Sequence, residues 1–126
     1  MPTVDLDKDN LASTINDNNF VIIDFWAPWC GPCQSFKPVF EATAEKHPDI
    51  VFAKVNTEDQ QEIAAHFQIR SIPTLMIFRD QVVLYAEPGA LPQSAFEKLV
   101  EDAKNVDMDE VQKAIAEEEA KAQPSA

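Results

Sequence analysis

Short apolar runs separated by polar segments divide the first hundred residues of the chain. Four of these runs are rich in β-branched and aromatic residues and are bounded by turn-forming residues, a pattern typical of buried strands. The runs are Phe20–Trp26, Ile50–Val55, Thr74–Phe78 and Val82–Tyr85. Because they are largely apolar on both faces, we expect a sheet that is covered by helices on each side.

The segments between these runs carry apolar residues at helical spacing. They predict helices over Gln34–His47, Glu62–Phe67 and Leu91–Lys104, and a weaker helix over Leu11–Ile15 before the first long strand. Strands that alternate with helices in this order indicate a single α/β domain, which we assign to residues 1–105.

The remaining residues, 106–126, form an acidic C-terminal extension with six carboxylates against two lysines. Asp107 suits the start of a helix, and Met108, Val111 and Ile115 give that helix a thin apolar stripe. We expect the last four residues, 123–126, to be disordered. The extension is either a solvated acidic helix or a docking helix that uses the stripe to bind a partner.

The net charge of -12 on 126 residues changes the range of possible partners. Such a surface repels phosphate backbones and anionic lipid, which argues against nucleic acid and membrane. The first residues have neither a basic start nor an apolar stretch, so we expect no secretory signal, although a mature form trimmed of its signal would look the same. No apolar run approaches the ~20 residues that span a bilayer. We therefore expect a cytoplasmic protein, whose reducing environment favours catalytic or metal-binding cysteines over a structural disulfide.

Cys30 and Cys33 stand where the first long strand gives way to a helix. The unpaired N–H groups and the positive end of the helix stabilise an anion there, so we expect Cys30 to be a thiolate near neutral pH. A thiolate is the species that attacks a disulfide. Cys33, one helical turn later, is close enough to resolve the mixed disulfide, and Pro32 stiffens the turn between them.

Three other interpretations of the cysteine pair are weaker. A structural disulfide across so short a loop contributes roughly 2 kcal/mol by the loop-entropy formula. A zinc site needs about four ligands, and the other soft candidates are His47 and His66, which we interpret as surface residues. Inert buried thiols are not normally flanked by Gly and Pro at a strand–helix junction. The residues favour redox chemistry without a metal.

The stretch Asp24–Cys33, with the sequence DFWAPWCGPC, resembles the active-site segment of the thioredoxin family. Ile72-Pro73-Thr74 is similar to the second signature of that family, and the resemblance extends from about residue 4 to residue 104. It implies the thioredoxin fold, a central mixed sheet of four to five strands flanked by helices on both faces. It also implies a redox-active disulfide between Cys30 and Cys33.

Within the family, Lys54–Glu58 and Ile69–Thr74 resemble the bacterial thioredoxin 2 type most closely. That type carries a Cys-rich zinc segment before the fold. No cysteine precedes Cys30, so we expect no such segment and no metal here.

Two charged residues interrupt the apolar strands. Asp24 is either a buried proton acceptor, because burial raises the pKa of a carboxylate, or a carboxylate that reaches the sheet edge. The resemblance implies the first role, in which Asp24 assists deprotonation of Cys33. It also implies that Lys54 lies near Asp24, and we expect a charge pair that holds the carboxylate pKa below its purely desolvated value.

The resemblance also implies a substrate groove beside the cysteines. The Ile72–Pro73 bond would be cis, and Ile72 would pair with an extended client segment by strand addition. Gly89 matches a loop glycine on the far side of this groove, although a simple turn role explains it as well. We expect Trp29 to cover the rim and Trp26 to pack below it, and the alternative for either is a plain core residue. With Gly31 and Pro32 between the cysteines, these residues complete the predicted substrate-binding surface.

The function that follows is a monomeric thiol–disulfide oxidoreductase that reduces disulfide-containing client proteins and serves electron transport and cell redox homeostasis. By resemblance, a flavoprotein thioredoxin reductase that uses NADPH regenerates the dithiol. The chain has no dinucleotide-binding glycine motif, so we expect it to bind no cofactor itself.

Two rival functions stay open. The first is a thioredoxin-fold binding module or co-chaperone that docks through residues 106–126. The second keeps the enzyme but reverses its direction, towards oxidase or isomerase. The Gly-Pro pair between the cysteines is the family pattern of reductants, and the absence of a secretory signal also argues against an oxidase.

Overall fold

A five-stranded mixed sheet organises the protein. The structure is a computed structural model, and it describes residues 2–122. The strands are β1 (Thr3–Asp5), β2 (Phe20–Trp26), β3 (Val51–Asn56), β4 (Thr74–Arg79) and β5 (Val82–Pro88). Their spatial order is β1-β3-β2-β4-β5, with β3 parallel to β1 and β2 and with β4 antiparallel to β2 and β5. This arrangement agrees with the expected central mixed sheet of four to five strands.

Three helices precede or connect the strands and two follow the last strand, near the positions that the apolar spacing predicts. They are α1 (Leu11–Asp17), α2 (Gly31–Lys46), α3 (Gln61–His66), α4 (Gln93–Lys104) and α5 (Met108–Ala122). No helix within residues 2–122 is long and apolar enough to cross a membrane. The predicted disorder of residues 123–126 falls outside the described part of the chain.

Two apolar cores lie on opposite faces of the sheet because side chains alternate along each strand. On one face, Phe20 and Ile22 of β2 pack with Phe36 and Phe40 of α2 and with Phe96 of α4. On the other face, alternate residues of the same strands pack with Leu6, Ile63 and half-buried residues of α1. The sheet is therefore covered on both sides, as predicted.

β1 is an element that the sequence pattern does not predict. It has three residues with no apolar alternation, and the side chain of Val4 is 43% exposed. Its pairing with β3, Val4 opposite Ala53, adds an edge strand to the sheet. Backbone hydrogen bonds to a neighbour create this strand, and those leave no trace in the hydropathy of the chain.

His47 corrects the interpretation of both histidines as surface residues. His66 is exposed, but His47 is only 8% exposed, and its ring stacks near Phe52 with 6.4 Å between centroids. Its Nδ1 atom is buried without a hydrogen-bond partner in the described residues. His47 is buried because it lies at the end of α2, where the chain turns to enter β3 and the ring packs into the core.

The link between β4 and β5 lacks the glycine that tight hairpins favour. Asp80 and Gln81 both adopt positive φ, 51° and 65°, which is the conformation of a two-residue hairpin turn with the favoured twist. The side-chain amide of Gln81 donates to the carbonyl oxygens of Ile15 and Asn16, each at 3.3 Å. These hydrogen bonds to the end of α1 help to hold the strained turn.

Candidate redox site at the N-terminus of α2

Cys30 and Cys33 are joined as a disulfide at the junction of β2 and α2, with their Cα atoms 5.2 Å apart. Cys30 is the N-cap of α2, and its Sγ accepts a hydrogen bond from the backbone N–H of Cys33 at 3.2 Å. Free N–H groups at the first turn of a helix stabilise negative charge. The site is therefore built to hold a sulfur anion on Cys30 when the disulfide is reduced.

The surface around the disulfide is open on one side. Cys30 is 6% exposed and Cys33 is 3% exposed, and both pack against Ala27, Trp26 and Ile72. Trp29, immediately before Cys30, is 71% exposed. A Cβ atom on Gly31 would meet nothing within 4 Å, so neither crowding nor positive φ explains this glycine. A partner can approach across Trp29 and Gly31.

The loop before β4 lies directly against Cys30. The Ile72–Pro73 bond is cis, as the resemblance implies. The carbonyl oxygen of Ile72 lies 3.8 Å from the Sγ of Cys30. The Gly89 N–H donates to the Pro73 carbonyl at 2.8 Å, and Gly89 has a φ of +126°, which explains the glycine there. Within residues 2–122, the Ile72 N–H has no intramolecular acceptor.

Asp24 lies on the face of the sheet that α2 covers, two residues before the end of β2. Its carboxylate is 1% exposed, and Oδ1 has no hydrogen-bond partner among the described residues. The neighbours in register are Lys54 on β3 and Leu75 on β4. Burial raises the pKa of Asp24 from 3.8 to about 7, against an opposing effect of the Lys54 charge. This carboxyl can therefore exchange a proton near neutral pH.

The expected charge pair between Asp24 and Lys54 acts at a distance rather than by contact. No oxygen of Asp24 lies within 4.0 Å of the Lys54 amine, and the amine instead sits 4.8 Å from the ring centroid of Trp26. The electrostatic part of the expectation holds, because the Lys54 charge lowers the pKa of Asp24 at a distance. Lys54 is 7% exposed, so little water screens it.

A cavity of about 210 Å³ beside the cis bond is a feature that the sequence interpretation missed. It lies between the segment 67–71 and the β4–β5 pair, and Arg70 is the one charged residue that lines it. Arg70 stands two residues before Ile72 in the sequence. Only the fold reveals the cavity, since its walls come from segments that are distant in sequence.

Comparisons of the sequence and of the structure with known proteins agree on one family. The family model described as Thioredoxin matches residues 2–102. The Streptomyces coelicolor protein named "Putative thioredoxin 2" is 57% identical over 120 residues, 95% of this chain and 90% of that protein. Thioredoxin 1 of Synechococcus elongatus is 47% identical over 59% of this chain and 70% of its own length.

Solved structures agree in fold. A mutant thioredoxin from Halobacterium salinarum superposes with a TM-score of 0.76 at 31% identity, over 82% of this chain and 92% of that one. Plasmodium falciparum thioredoxin gives a TM-score of 0.74 at 30% identity, over 79% of this chain and 98% of that one.

Proposed function

Because this chain belongs to the thioredoxin family and is a thiol–disulfide oxidoreductase, we propose that it works as a reductant of disulfides in client proteins. The thiolate of Cys30 attacks a client disulfide, forms a mixed disulfide and releases one client sulfur as a thiolate, which takes up a proton. The Cys33 thiol then loses its proton, attacks Cys30 Sγ and releases the second client sulfur. Two electrons pass to the client, and Cys30–Cys33 becomes a disulfide.

The observation that carries this proposal is the capping of α2 by Cys30. The Cys33 N–H that donates to Cys30 Sγ at 3.2 Å is one of the free donors of the helix. In the reduced protein, the same donor would stabilise the Cys30 thiolate and raise its population near pH 7. Cys33, which is inside the helix and less exposed, suits the resolving role.

Asp24 supports the second step as the proton acceptor. Its pKa of about 7 leaves it partly ionised at neutral pH, which is the condition for taking a proton and returning it in one cycle. It shares with Cys33 the side of the sheet that α2 covers. Lys54 supports this role through its charge, which keeps the pKa of Asp24 from rising further.

Clients would bind along the loop before β4. The Ile72 N–H is free within the described residues, and the Ile72 carbonyl lies beside Cys30. Both groups can pair with an extended client segment, as in strand addition. Trp29, Gly31, Pro32, Pro73 and Gly89 would form the walls on either side of that segment.

We place the protein in the cytoplasm as a monomer, where a thioredoxin reductase that uses NADPH regenerates the dithiol. The sequence carries no dinucleotide-binding glycine motif, which supports an external reductase rather than a resident cofactor.

The reduction potential of the Cys30–Cys33 couple tests the direction of the reaction. The protein is equilibrated in defined thiol–disulfide buffers, and the oxidised fraction is read by alkylation and mass spectrometry. A potential well below that of the glutathione pool supports a reductant. A potential above it would instead identify an oxidant or isomerase and contradict the cytoplasmic assignment.

The Cys33→Ser variant tests the order of the two steps. Without the resolving thiol, mixed disulfides should accumulate on Cys30 in a cell extract, and reductant should release the bound proteins. The matched Cys30→Ser variant should trap far fewer, because Cys33 is buried inside α2. Equal trapping by both variants would mean that the roles of the two cysteines are not as proposed.

A further inference from the structure

The cavity beside Ile72 carries a positive charge, which is opposite in sign to the net charge of the protein. The chain has 22 acidic residues against 10 Lys and Arg, yet no carboxylate lines this cavity. Its single charged residue, Arg70, is exposed and has no carboxylate within 4.0 Å in the described part of the chain. An unpaired guanidinium in such a setting is available to a partner.

The walls of the cavity are mostly apolar and come from fixed elements. Thr74 and Met76 of β4 and the paired residues Pro88 and Ala86 of β5 form one side. The other side is the segment 67–71, which includes the apolar residues Phe67 and Ile69. The walls could hold the methylene groups of a side chain whose polar end reaches Arg70.

The segment that carries Arg70 is tied at both ends. After α3, the Ile69 N–H donates to the Ala64 carbonyl at 2.9 Å, and further on the Ser71 carbonyl accepts a hydrogen bond from the Thr74 hydroxyl. Arg70 therefore extends from a backbone that is set before any client binds, which lowers the ordering cost of recognition.

The position of the cavity relative to Cys30 fixes which client residue could enter it. A client cysteine that reacts with Cys30 lies next to Ile72, whose carbonyl oxygen is 3.8 Å from Cys30 Sγ. Arg70 is two residues before Ile72, so their Cα atoms lie at most about 7 Å apart, a separation that two residues of an extended client can span. A client residue two positions from the reacting cysteine would lie opposite Arg70.

From these observations we infer that Arg70 and its cavity select clients that carry a glutamate two residues from the disulfide cysteine. The methylene groups of the glutamate pack on the apolar wall, and its carboxylate binds the Arg70 guanidinium. Arg70 is thus a specificity-determining residue that touches the client outside the reacting sulfurs. This inference rests on the proposed function, since it names the client class of the same site.

The overall charge of the protein makes the test stringent. A net charge of -12 repels an acidic peptide at long range, so bulk electrostatics favours lysine-containing clients. A preference for glutamate must therefore arise locally. At 0.15 M salt the screening length is about 8 Å, which suppresses the long-range effect and leaves the contact with Arg70.

The experiment uses symmetric disulfide-linked dimers of short alanine-based peptides that contain one cysteine. Glutamate, glutamine or lysine stands two residues before or two residues after that cysteine, which gives six substrates. The full-length protein is reduced first, and its oxidation by each peptide is followed under second-order conditions. At one of the two positions, glutamate should react about three- to fivefold faster than glutamine, the range of a partly exposed ion pair.

Substitutions at Arg70 then identify the source of the preference. Arg70→Gln should remove it, Arg70→Glu should reverse it in favour of lysine, and Arg70→Lys should keep part of it. Lys113→Gln changes the net charge by the same amount in α5 and should keep the wild-type ratio, since Lys113 does not line the cavity. Partial retention of the preference in Arg70→Lys together with its reversal in Arg70→Glu is a pattern that a loss of folding alone does not produce.

Three outcomes would overturn the inference. They are a glutamate-to-glutamine ratio of one or less at both positions, a ratio that survives Arg70→Gln, and a ratio that Lys113→Gln lowers equally. Failure of the proposed function looks different, because then the glutamine peptides would also leave the reduced protein unoxidised. Normal reaction with all six peptides at equal rates would remove only the role of Arg70.

Discussion

Asp24 and Lys54 are register partners on the neighbouring parallel strands β2 and β3, both buried on the same face of the sheet, yet their charges do not touch. The Lys54 amine lies against the ring of Trp26, 4.8 Å from its centroid. The carboxyl therefore feels a nearby cation without the hydrogen bond that would fix its proton state. A direct ion pair would hold Asp24 ionised, whereas this arrangement leaves its pKa at about 7.

Replacing Lys54 by methionine should raise the pKa of Asp24 above about 7. The substitution keeps an unbranched side chain against Trp26 and removes the charge that opposes the desolvation of the carboxylate. Carbon-13 NMR titration of the Asp24 carboxyl measures the change directly. Lys98→Met on the exposed surface of α4 is the control and should leave the titration in place. An unchanged or lowered pKa in Lys54→Met would show that the amine does not act on Asp24.

The raised pKa of Asp24 also predicts a pH-dependent stability. The folded protein binds this proton more tightly than the unfolded chain does. The contribution of Asp24 to the free energy of unfolding is therefore largest below pH 3.8. This contribution to the free energy of unfolding is lost as the pH rises from 3.8 to about 7. The loss amounts to something on the order of 4 kcal/mol at 1.36 kcal/mol per pKa unit.

Asp24→Asn should abolish this loss and make the oxidised protein more stable than the wild type at pH 8, with little difference at pH 4. Urea unfolding of both proteins between pH 4 and pH 8 measures the effect. Asp17→Asn, at the exposed end of α1, should keep the wild-type pH dependence. If wild type and Asp24→Asn lost stability in parallel, the carboxyl would not be protonated in the folded state.

Whether a structural feature can be predicted from the sequence depends on whether that feature restricts the residue types at its positions. The β-branched runs that become β2, β3 and β4 and the interruption of one of them by Asp24 are visible because burial selects residue types. The end of α2 is different: the same histidine is compatible with a surface or a buried turn, and the prediction for His47 was wrong. The placement of Lys54 on Trp26 was also hidden, since a four-carbon side chain reaches several partners from one register position.

The cavity at Arg70 and the positive-φ residues show a second limit. The sequence places Arg70 near Ile72, but it does not reveal which strands the segment 67–71 packs against. Gln68, Asp80 and Gln81 all adopt φ values of 51° to 65° although none is a glycine. Long-range packing imposes these conformations, and residue type alone does not signal them.

Gln68→Gly should increase the free energy of unfolding by about 1 kcal/mol, because glycine adopts the left-handed conformation without the steric cost that a side chain bears. Gln68 follows the last turn of α3 with a φ of 55°, its N–H donates to the Ala65 carbonyl, and its exposed side chain makes no hydrogen bond in the described residues. Urea or thermal unfolding measures the gain. Gln61→Gly, at the start of the same helix, should leave stability unchanged or lower it, and a loss in Gln68→Gly would contradict the expected strain.

Truncation after Asn105 separates the redox domain from the C-terminal extension. None of the residues around the cysteines comes from beyond Asn105, and the family model ends at residue 102. We expect the truncated protein to reduce a disulfide substrate at the full-length rate. Its free energy of unfolding should fall by about 1–2 kcal/mol, since Met108 is 8% exposed and loses its burial.

Met108→Ala in the full-length chain is the matched variant, and it should reproduce most of the stability loss with the extension still present. A docking role for the extension makes the opposite prediction: partners recovered with the full-length chain would disappear on truncation but remain with Met108→Ala. Val111 and Ile115, half-buried on the helix, would then be the binding stripe. Unchanged turnover together with unchanged complexes would identify α5 as a solvated acidic helix whose first residue closes the core.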